Sequence, residues 1–189
     1  MESLPTTLSL AQLNAKALKM LVWQPVSTDM IRFLARAASN VIQCDPGPIA
    51  PAAGEAYTSD YTSSPRTLPT LEKFIDQVVR CSNVQVPTLM SSLVYLNRLK
   101  SRLGPRSKGL PCSAHRIFLA CLILSAKYLN DSSPKNKHWA NYSVMYGFGF
   151  NRTEVNLMEK QLLFLLDWDL RITKEDLYRE LDHFLAPIR

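Results

Sequence analysis

Apolar positions along this chain recur at helical spacing almost throughout. Leu10, Leu13, Ala17, Leu18 and Leu21 share one side of a first helix, and a run after Thr28 groups Ile31, Leu34, Ala35, Ala38 and Ile42 on one side of a second. Both are short for autonomous folding, so they are expected to lean on the larger unit that follows. In that unit Leu71, Phe74, Ile75, Val78 and Val79 predict an amphipathic helix ending near Asn83. Pro87-Thr88 opens another, with Leu89, Leu93, Leu96 and Leu99 inside and Gly104-Pro105 as its stop. A third, from Pro111 and Ser113 through Ile117–Leu124 to Asn130, is apolar on nearly all sides, which marks a helix surrounded by others. A shorter fourth spans roughly Lys135 to Met145. Asn151 with Glu154 three residues on has capping-box spacing, and opens a fifth whose apolar side is Val155, Met158, Leu162, Leu163, Leu165 and Leu166. Thr173 with Asp176 repeats the start signal for a last helix, which Pro187 ends. No stretch alternates as a strand. The expected fold is all-α: five packed helices from about Leu68 to Leu170, with extra N-terminal helices and a C-terminal helix.

Between Cys44 and Thr67 the pattern breaks. Prolines, glycines and hydroxylated residues give little surface to bury and block helix propagation, so residues 45–67 are expected to be a mobile linker. It separates an N-terminal helical segment, 1–44, from the main unit, 68–189. Ser64-Pro65 in the linker and Ser133-Pro134 beyond it are candidate sites of proline-directed phosphorylation, or simply turns.

Composition narrows the class. Hydrophobic residues make up 47% of the 189 and charged residues 20%, which excludes wholesale disorder. No apolar run approaches the ~20 residues needed to cross a bilayer. The stretch from Met1 to Leu10 has no basic region leading into an apolar core, so no secretory signal is expected. Cys44, Cys81, Cys112 and Cys121 form no metal-ligand cluster and are read as reduced thiols of a nuclear or cytosolic protein. His115, His138 and His183 are scattered, and Gly147-Phe148-Gly149 lacks the strand and helix context of a phosphate loop. Neither an enzyme nor a metal or cofactor site is expected. The net charge of +6 is concentrated at Arg98, Lys100, Arg102, Arg106, Lys108 and Arg116. That cluster is either a solvated helix end and loop or the footprint of a nucleic acid.

Two charges fall where apolar residues belong. Lys127 lies on the side of its helix that carries Ala120, Ile123 and Leu124, and Glu159 interrupts the stripe of Val155, Leu162, Leu163 and Leu166. Buried alone, each would cost several kcal/mol. They can pair with each other, snorkel to solvent, or flank an apolar surface awaiting a partner.

The segments carrying them, Ala120-Cys121-Leu122-Ile123-Leu124-Ser125-Ala126-Lys127-Tyr128-Leu129-Asn130-Asp131 and Asn156–Leu170, resemble the cyclin box, in which a lysine late in helix three and a glutamate early in helix five bind a cyclin-dependent kinase. Gly109-Leu110-Pro111 with His115–Ala120, and Asn130–Pro134 with Asn136–Ala140, are similar to the G1-type fungal cyclins of the Pcl type, partners of the phosphate-system cyclin-dependent kinase. The resemblance implies a regulatory subunit that binds and activates such a kinase, linked to G1 progression, polarity or morphogenesis, in nucleus and cytoplasm. It implies that Lys127 and Glu159 make the polar kinase contacts. It also implies that Leu124, Tyr128, Leu163 and Leu170 form an apolar pocket for a side chain of the kinase C-helix. Asp131, one turn beyond Lys127, would pair with an arginine near the kinase activation loop, or else bond its own Ser132-Ser133 turn. The substrate-docking motif of animal cell-cycle cyclins is not matched by Thr70–Asp76, and residues 171–189 are too few for a second box. The rival reading is a nucleic-acid-binding transcription factor of the same helical fold, using the Arg98–Arg116 stretch.

Overall fold

The computed structural model describes residues 8–44 and 68–189, and nine α-helices carry nearly all the regular structure among them. The linker expected at 45–67, including Ser64, lies outside the described residues. The N-terminal segment holds α1 (Leu10–Leu21) and α2 (Thr28–Ser39). The main unit holds α3 (Leu71–Ser82), α4 (Val86–Arg102), α5 (Ser113–Leu129), α6 (Asn136–Tyr142) and α7 (Arg152–Leu165), followed by α8 (Lys174–Glu180), α9 (Asp182–Leu185) and a 3-10 turn, Ala186–Ile188.

Local chemistry sets these boundaries. The Asn151 side chain accepts from the Glu154 amide at 2.8 Å while the Glu154 carboxylate accepts from the Asn151 amide at 3.0 Å, so two otherwise orphaned donors are satisfied at the start of α7. Thr173 and Asp176 do the same for α8. Ser9 and Gln12 form a third such box before α1, which the sequence reading overlooked although Ser-x-x-Gln carries the signal. Pro87 falls in the first turn of α4, where a missing N–H breaks no helical bond. Asn83 ends α3 in the left-handed conformation at φ 50°, tolerated by its short polar side chain.

Helix α5 is the hub. It packs on α2, α3, α4 and α7, and Phe118, Leu119, Leu122 and Ile123 are wholly removed from solvent. Side chains of that size each contribute about 1.5–3 kcal/mol when fully buried. The hydroxyl of Ser125 in this apolar interior donates to the Thr88 carbonyl at 2.6 Å, so α5 and α4 are also tied by a satisfied polar contact. The N-terminal helices do lean on the main unit. Leu34 and Ala38 of α2 are fully buried against the faces of α3, α4 and α5, and α1 rests on α9.

Three expectations need correction. The last helix is not continuous to Pro187: the chain turns at Leu181, so that α8 lies on α4 while α9 and the 3-10 turn reach α1, burying Leu181 and Leu185. Pro187 sits inside that final 3-10 turn. The fourth helix stops at Tyr142, because Met145 and Phe148 exchange backbone hydrogen bonds at 2.8 Å across Tyr146 and Gly147, both at positive φ. Two short strands also form: β1 (Gln43–Cys44) pairs in parallel with β2 (Lys108–Gly109) and fastens the end of the N-terminal segment to the α4–α5 connection.

The turn at Tyr146-Gly147 accounts for the glycine-containing stretch left unassigned in the sequence. It delivers Phe148 and Phe150 to Phe74 and His115, whose rings lie 5.1–6.0 Å apart in edge-to-face and tilted pairs. His115 is thus a core residue, with Nε2 2.8 Å from the Pro69 carbonyl just ahead of α3. Burial lowers its pKa, against a smaller opposing effect of that hydrogen bond.

Candidate functional site

Helix α5 crosses α7, and an ion pair ties each end of α5 to it. Near the start of α5, Arg116 reaches Glu154 at 2.7 Å and lies over the Phe150 ring. At the other end Lys127 Nζ donates to Glu159 Oε1 at 2.6 Å. The two charges therefore do pair with each other, one of the three readings open for them. Neither charge is deeply buried: the Glu159 side chain is 15% exposed and that of Lys127 36%, so the pair stands at the edge of the apolar stripe. An ammonium has three donors, and Lys127 gives one of them to Glu159.

Glu159's second oxygen is also engaged. Asn136, the first residue of α6, donates its amide to Glu159 Oε2 at 2.6 Å and to Asn156 Oδ1 at 2.8 Å. Its own Oδ1 is shielded from solvent without a donor. Sequence reasoning missed Asn136, since nothing distinguishes one asparagine at a helix start from another. Its role appears only when α6 is seen against α7.

The remaining residues implied by the resemblance differ in how far they are buried. Leu124 is buried, Leu163 and Leu170 are half-buried against the core, and Tyr128 is 47% exposed. Leu170 is fixed from α4, where the Tyr95 hydroxyl donates to its carbonyl at 2.8 Å. Burial pushes that hydroxyl's pKa up, and neighbouring Tyr128 adds to the effect. Arg98 donates to the carbonyls of Asp169 and Arg171 and makes ion pairs with Asp169 and Asp176. Burial works against ionisation of Asp176, but hydrogen bonds from Thr173 and Arg179 outweigh it and hold the carboxyl below its ordinary range. Asp131 is exposed and has no ion pair among the described residues. It does not bond the Ser132-Ser133 turn either. The side chain of Asn130 caps α5 instead, donating to the Ala126 carbonyl at 3.0 Å and to Thr88 Oγ1 at 3.1 Å.

The end of α7 adds a feature absent from the sequence reading. The Trp168 amide bonds the Leu163 carbonyl and the Asp167 amide that of Phe164, a Schellman closure. Asp167 and Trp168 are both left-handed, at φ 54° and 57°. A left-handed residue other than glycine is disfavoured by about 1–2 kcal/mol, and here two in succession leave Trp168 62% exposed, its indole edge-on to the Phe164 ring at 6.3 Å.

The basic cluster does not persist as a footprint. Arg98, Arg102 and Arg116 are taken up by Asp169, Asp176 and Glu154, leaving Lys100, Arg106 and Lys108 at the surface. Three of the six cations are thus engaged by carboxylates of the same chain, and the nucleic-acid reading is not favoured. His183 stacks on Phe33 at 5.1 Å, and the described residues contain no cluster able to hold a metal ion. No helix among them is long and apolar enough to cross a membrane.

Comparison with known proteins agrees with this geometry. The model of the cyclin N-terminal domain matches residues 53–171. PHO85 cyclin-1 of Saccharomyces cerevisiae is 46% identical over 176 residues, 93% of this chain and 60% of the relative. From the same organism, PHO85 cyclin-9 is 46% identical over 167 residues, 88% of this chain and 50% of its own, and PHO85 cyclin-2 is 40% identical over 176 residues, 93% and 53% respectively. The chain therefore spans between half and three-fifths of the length of these relatives. With α3 to α7 as its five-helix box and the lysine–glutamate pair at the α5–α7 crossing, the chain belongs to the cyclin family.

Proposed function

We propose that this chain is a regulatory subunit that binds and activates a cyclin-dependent Ser/Thr protein kinase of the phosphate-system type, and has no catalytic activity of its own. The observation that carries the reading is the Lys127–Glu159 pair at the edge of an apolar patch that includes exposed Tyr128 and half-buried Leu163 and Leu170. Such a patch suits a partner that is apolar at its centre and polar at its rim. Similarity to three PHO85 cyclins supports the choice of kinase.

In this reading Leu124, Tyr128, Leu163 and Leu170 receive a side chain of the kinase C-helix, while Lys127 and Glu159 bond the groups around it. Asp131 faces an arginine near the activation loop. The kinase gains because its C-helix glutamate is drawn in to pair with the lysine that positions ATP. The effect is a population shift, since the subunit binds the active conformation better than the inactive one. The complex acts in nucleus and cytoplasm, in G1 progression, polarity or morphogenesis, and the source is fungal.

The test is a binding and phosphate-transfer assay with a phosphate-system-type kinase, comparing wild type with Lys127→Ala/Glu159→Ala. A loss of affinity of tenfold or more, as expected for central contacts, with unchanged helical circular dichroism, supports the proposal. Equal binding by the two proteins, or none by the wild type, overturns it.

A further inference from the structure

Between the end of α5 and the start of α7 lies a cavity of about 310 Å³ that shares only Lys127 with the proposed kinase contacts. Its lining includes Lys127, Lys135, Lys137 and Arg152, together with Ser133 and Asn156, and no carboxylate contributes to it. Lys135, Lys137 and Arg152 have no ion pair among the described residues. Lys127 is compensated by Glu159, but the other three cations face the same concave space without an acid of their own, and they repel one another. An anion there would relieve that repulsion.

Ser133 stands at this cavity in a fixed position. It lies in the irregular segment between α5 and α6, and the residue after it is anchored: the indole of buried Trp139 donates to the Pro134 carbonyl at 3.1 Å. The serine precedes a proline, the pattern accepted by proline-directed Ser/Thr kinases. We propose that Ser133 is a phosphorylation site and that its phosphate is captured by this cavity. In the transfer, Ser133 Oγ forms the new bond to the γ-phosphorus of a nucleoside triphosphate, and the bond from that phosphorus to the departing nucleoside diphosphate breaks. The hydroxyl proton passes to a base of the modifying kinase. The product is a phosphomonoester of charge about −1.5 to −2 at neutral pH, set among four cations. Because the phosphate is tethered at the cavity, its effective concentration there far exceeds that of free phosphate in solution.

The consequence falls on the candidate site, and this step rests on the proposed kinase-binding function. Lys127 belongs both to the cavity and to the 2.6 Å pair with Glu159. A captured dianion competes with the Glu159 carboxylate for that ammonium and disturbs the polar contact offered to the kinase. Phosphorylation of Ser133 thus weakens kinase binding.

The site is tested on the full chain carrying phosphoserine at position 133. Phosphorus NMR across a pH titration should show the second phosphate pKa lowered by about half a unit or more from its usual value near 6. In the same phosphorylated chain bearing Lys135→Ala, Lys137→Ala and Arg152→Ala, it should return to about 6. An unshifted value in the otherwise wild-type chain overturns the site, as does a shift that survives the triple substitution. Inorganic phosphate added to the unmodified chain provides the control for source. If it binds the cavity while the tethered phosphate stays unshifted, Ser133 is not the bearer. Treatment with a proline-directed kinase and ATP, read by mass spectrometry against Ser133→Ala, must place phosphate on Ser133, and its absence overturns the assignment. Kinase affinity should then fall about tenfold on phosphorylation and recover in the triple variant, and unchanged affinity overturns the regulatory step. Failure of the unmodified chain to bind the kinase counts against the proposed function alone, because the NMR titration reads the cavity without any kinase.

Discussion

Replacing Arg98 by methionine removes the guanidinium but keeps much of the aliphatic stem, and so isolates what the charge contributes. Arg98 is a residue of α4, 15% exposed at its side chain, whose fork holds the carbonyls of Asp169 and Arg171 from behind, the latter at 3.0 Å. Hydrogen bonds to a charged group contribute about 1.5–3 kcal/mol each. Asp169 and Arg171 are exposed, so water replaces much of what their carbonyls lose. Asp176 retains its bonds to Thr173 and Arg179. The net loss is expected at about 2–3 kcal/mol, which in a chain of this size lowers Tm by about 5–10 °C. The internal control is Arg102→Met. That arginine pairs with the same Asp169 at 3.6 Å but from a more exposed position, and its loss should stay within about 0.5 kcal/mol. Urea unfolding gives the two stabilities, and hydrogen exchange at the Trp168 and Leu170 amides shows whether the segment has been released. If Arg98→Met costs no more than Arg102→Met, or leaves those amides as protected as before, Arg98 is only another surface cation and the clamp described above does not exist.

Further outcomes follow from the same geometry. In the free chain the coupling between Lys127 and Glu159, measured by a double-mutant cycle, should stay below about 1 kcal/mol because the lysine is partly solvated; a coupling of several kcal/mol would make the pair a folding element. His115 is held neutral, its folded pKa below the unfolded value near 6.5. Its contribution is therefore fully present above about pH 6.5 and is lost as pH falls toward the folded pKa, with a slope of up to about 1.4 kcal/mol per pH unit. Urea midpoints at pH 7.5 and 5.5 should show that loss in wild type and a smaller one in His115→Phe, and parallel profiles would refute it. At Gly109 an added methyl would stand 2.7 Å from Cβ and Oγ of Ser113. Gly109→Ala should destabilise by about 1–3 kcal/mol, and Ser113→Gly in the same chain should recover most of it. Absence of rescue would place the strain elsewhere.

What the sequence revealed, and what it hid, follows from the range of the interactions involved. Helix starts at Asn151 and Thr173 were legible because a capping box is written within four consecutive positions. Lys127 and Glu159 stood out because each violates the apolar pattern of its own helix, even though only the structure shows that they meet. By composition Arg98 belongs to a charge run, yet Tyr95, Arg98 and Arg102 share one face of α4 by spacing. That periodicity was the available signal that they act together on a distant segment. Asn136 and the left-handed pair Asp167-Trp168 left no comparable trace. The first acts through α6–α7 packing, and the second is an uncommon backbone choice for residues without glycine's freedom. The break at Leu181 was hidden for a related reason, since it is imposed by where α1 and α4 lie and not by any residue that stops a helix.

The parallel pairing of Gln43–Cys44 with Lys108–Gly109 bears on how the chain can be divided. The N-terminal segment is held to the rest by that ladder, by the buried face of α2 against α3, α4 and α5, and by α1 against α9. The covalent connection from Cys44 to Leu68 therefore serves chiefly to keep two complementary surfaces at high local concentration. Two separate polypeptides, 1–44 and 68–189, should reassemble without it when co-expressed. In kinetic terms the joint is a docking event, so the recovered helical signal should depend on fragment concentration while intact chains refold at a rate independent of it.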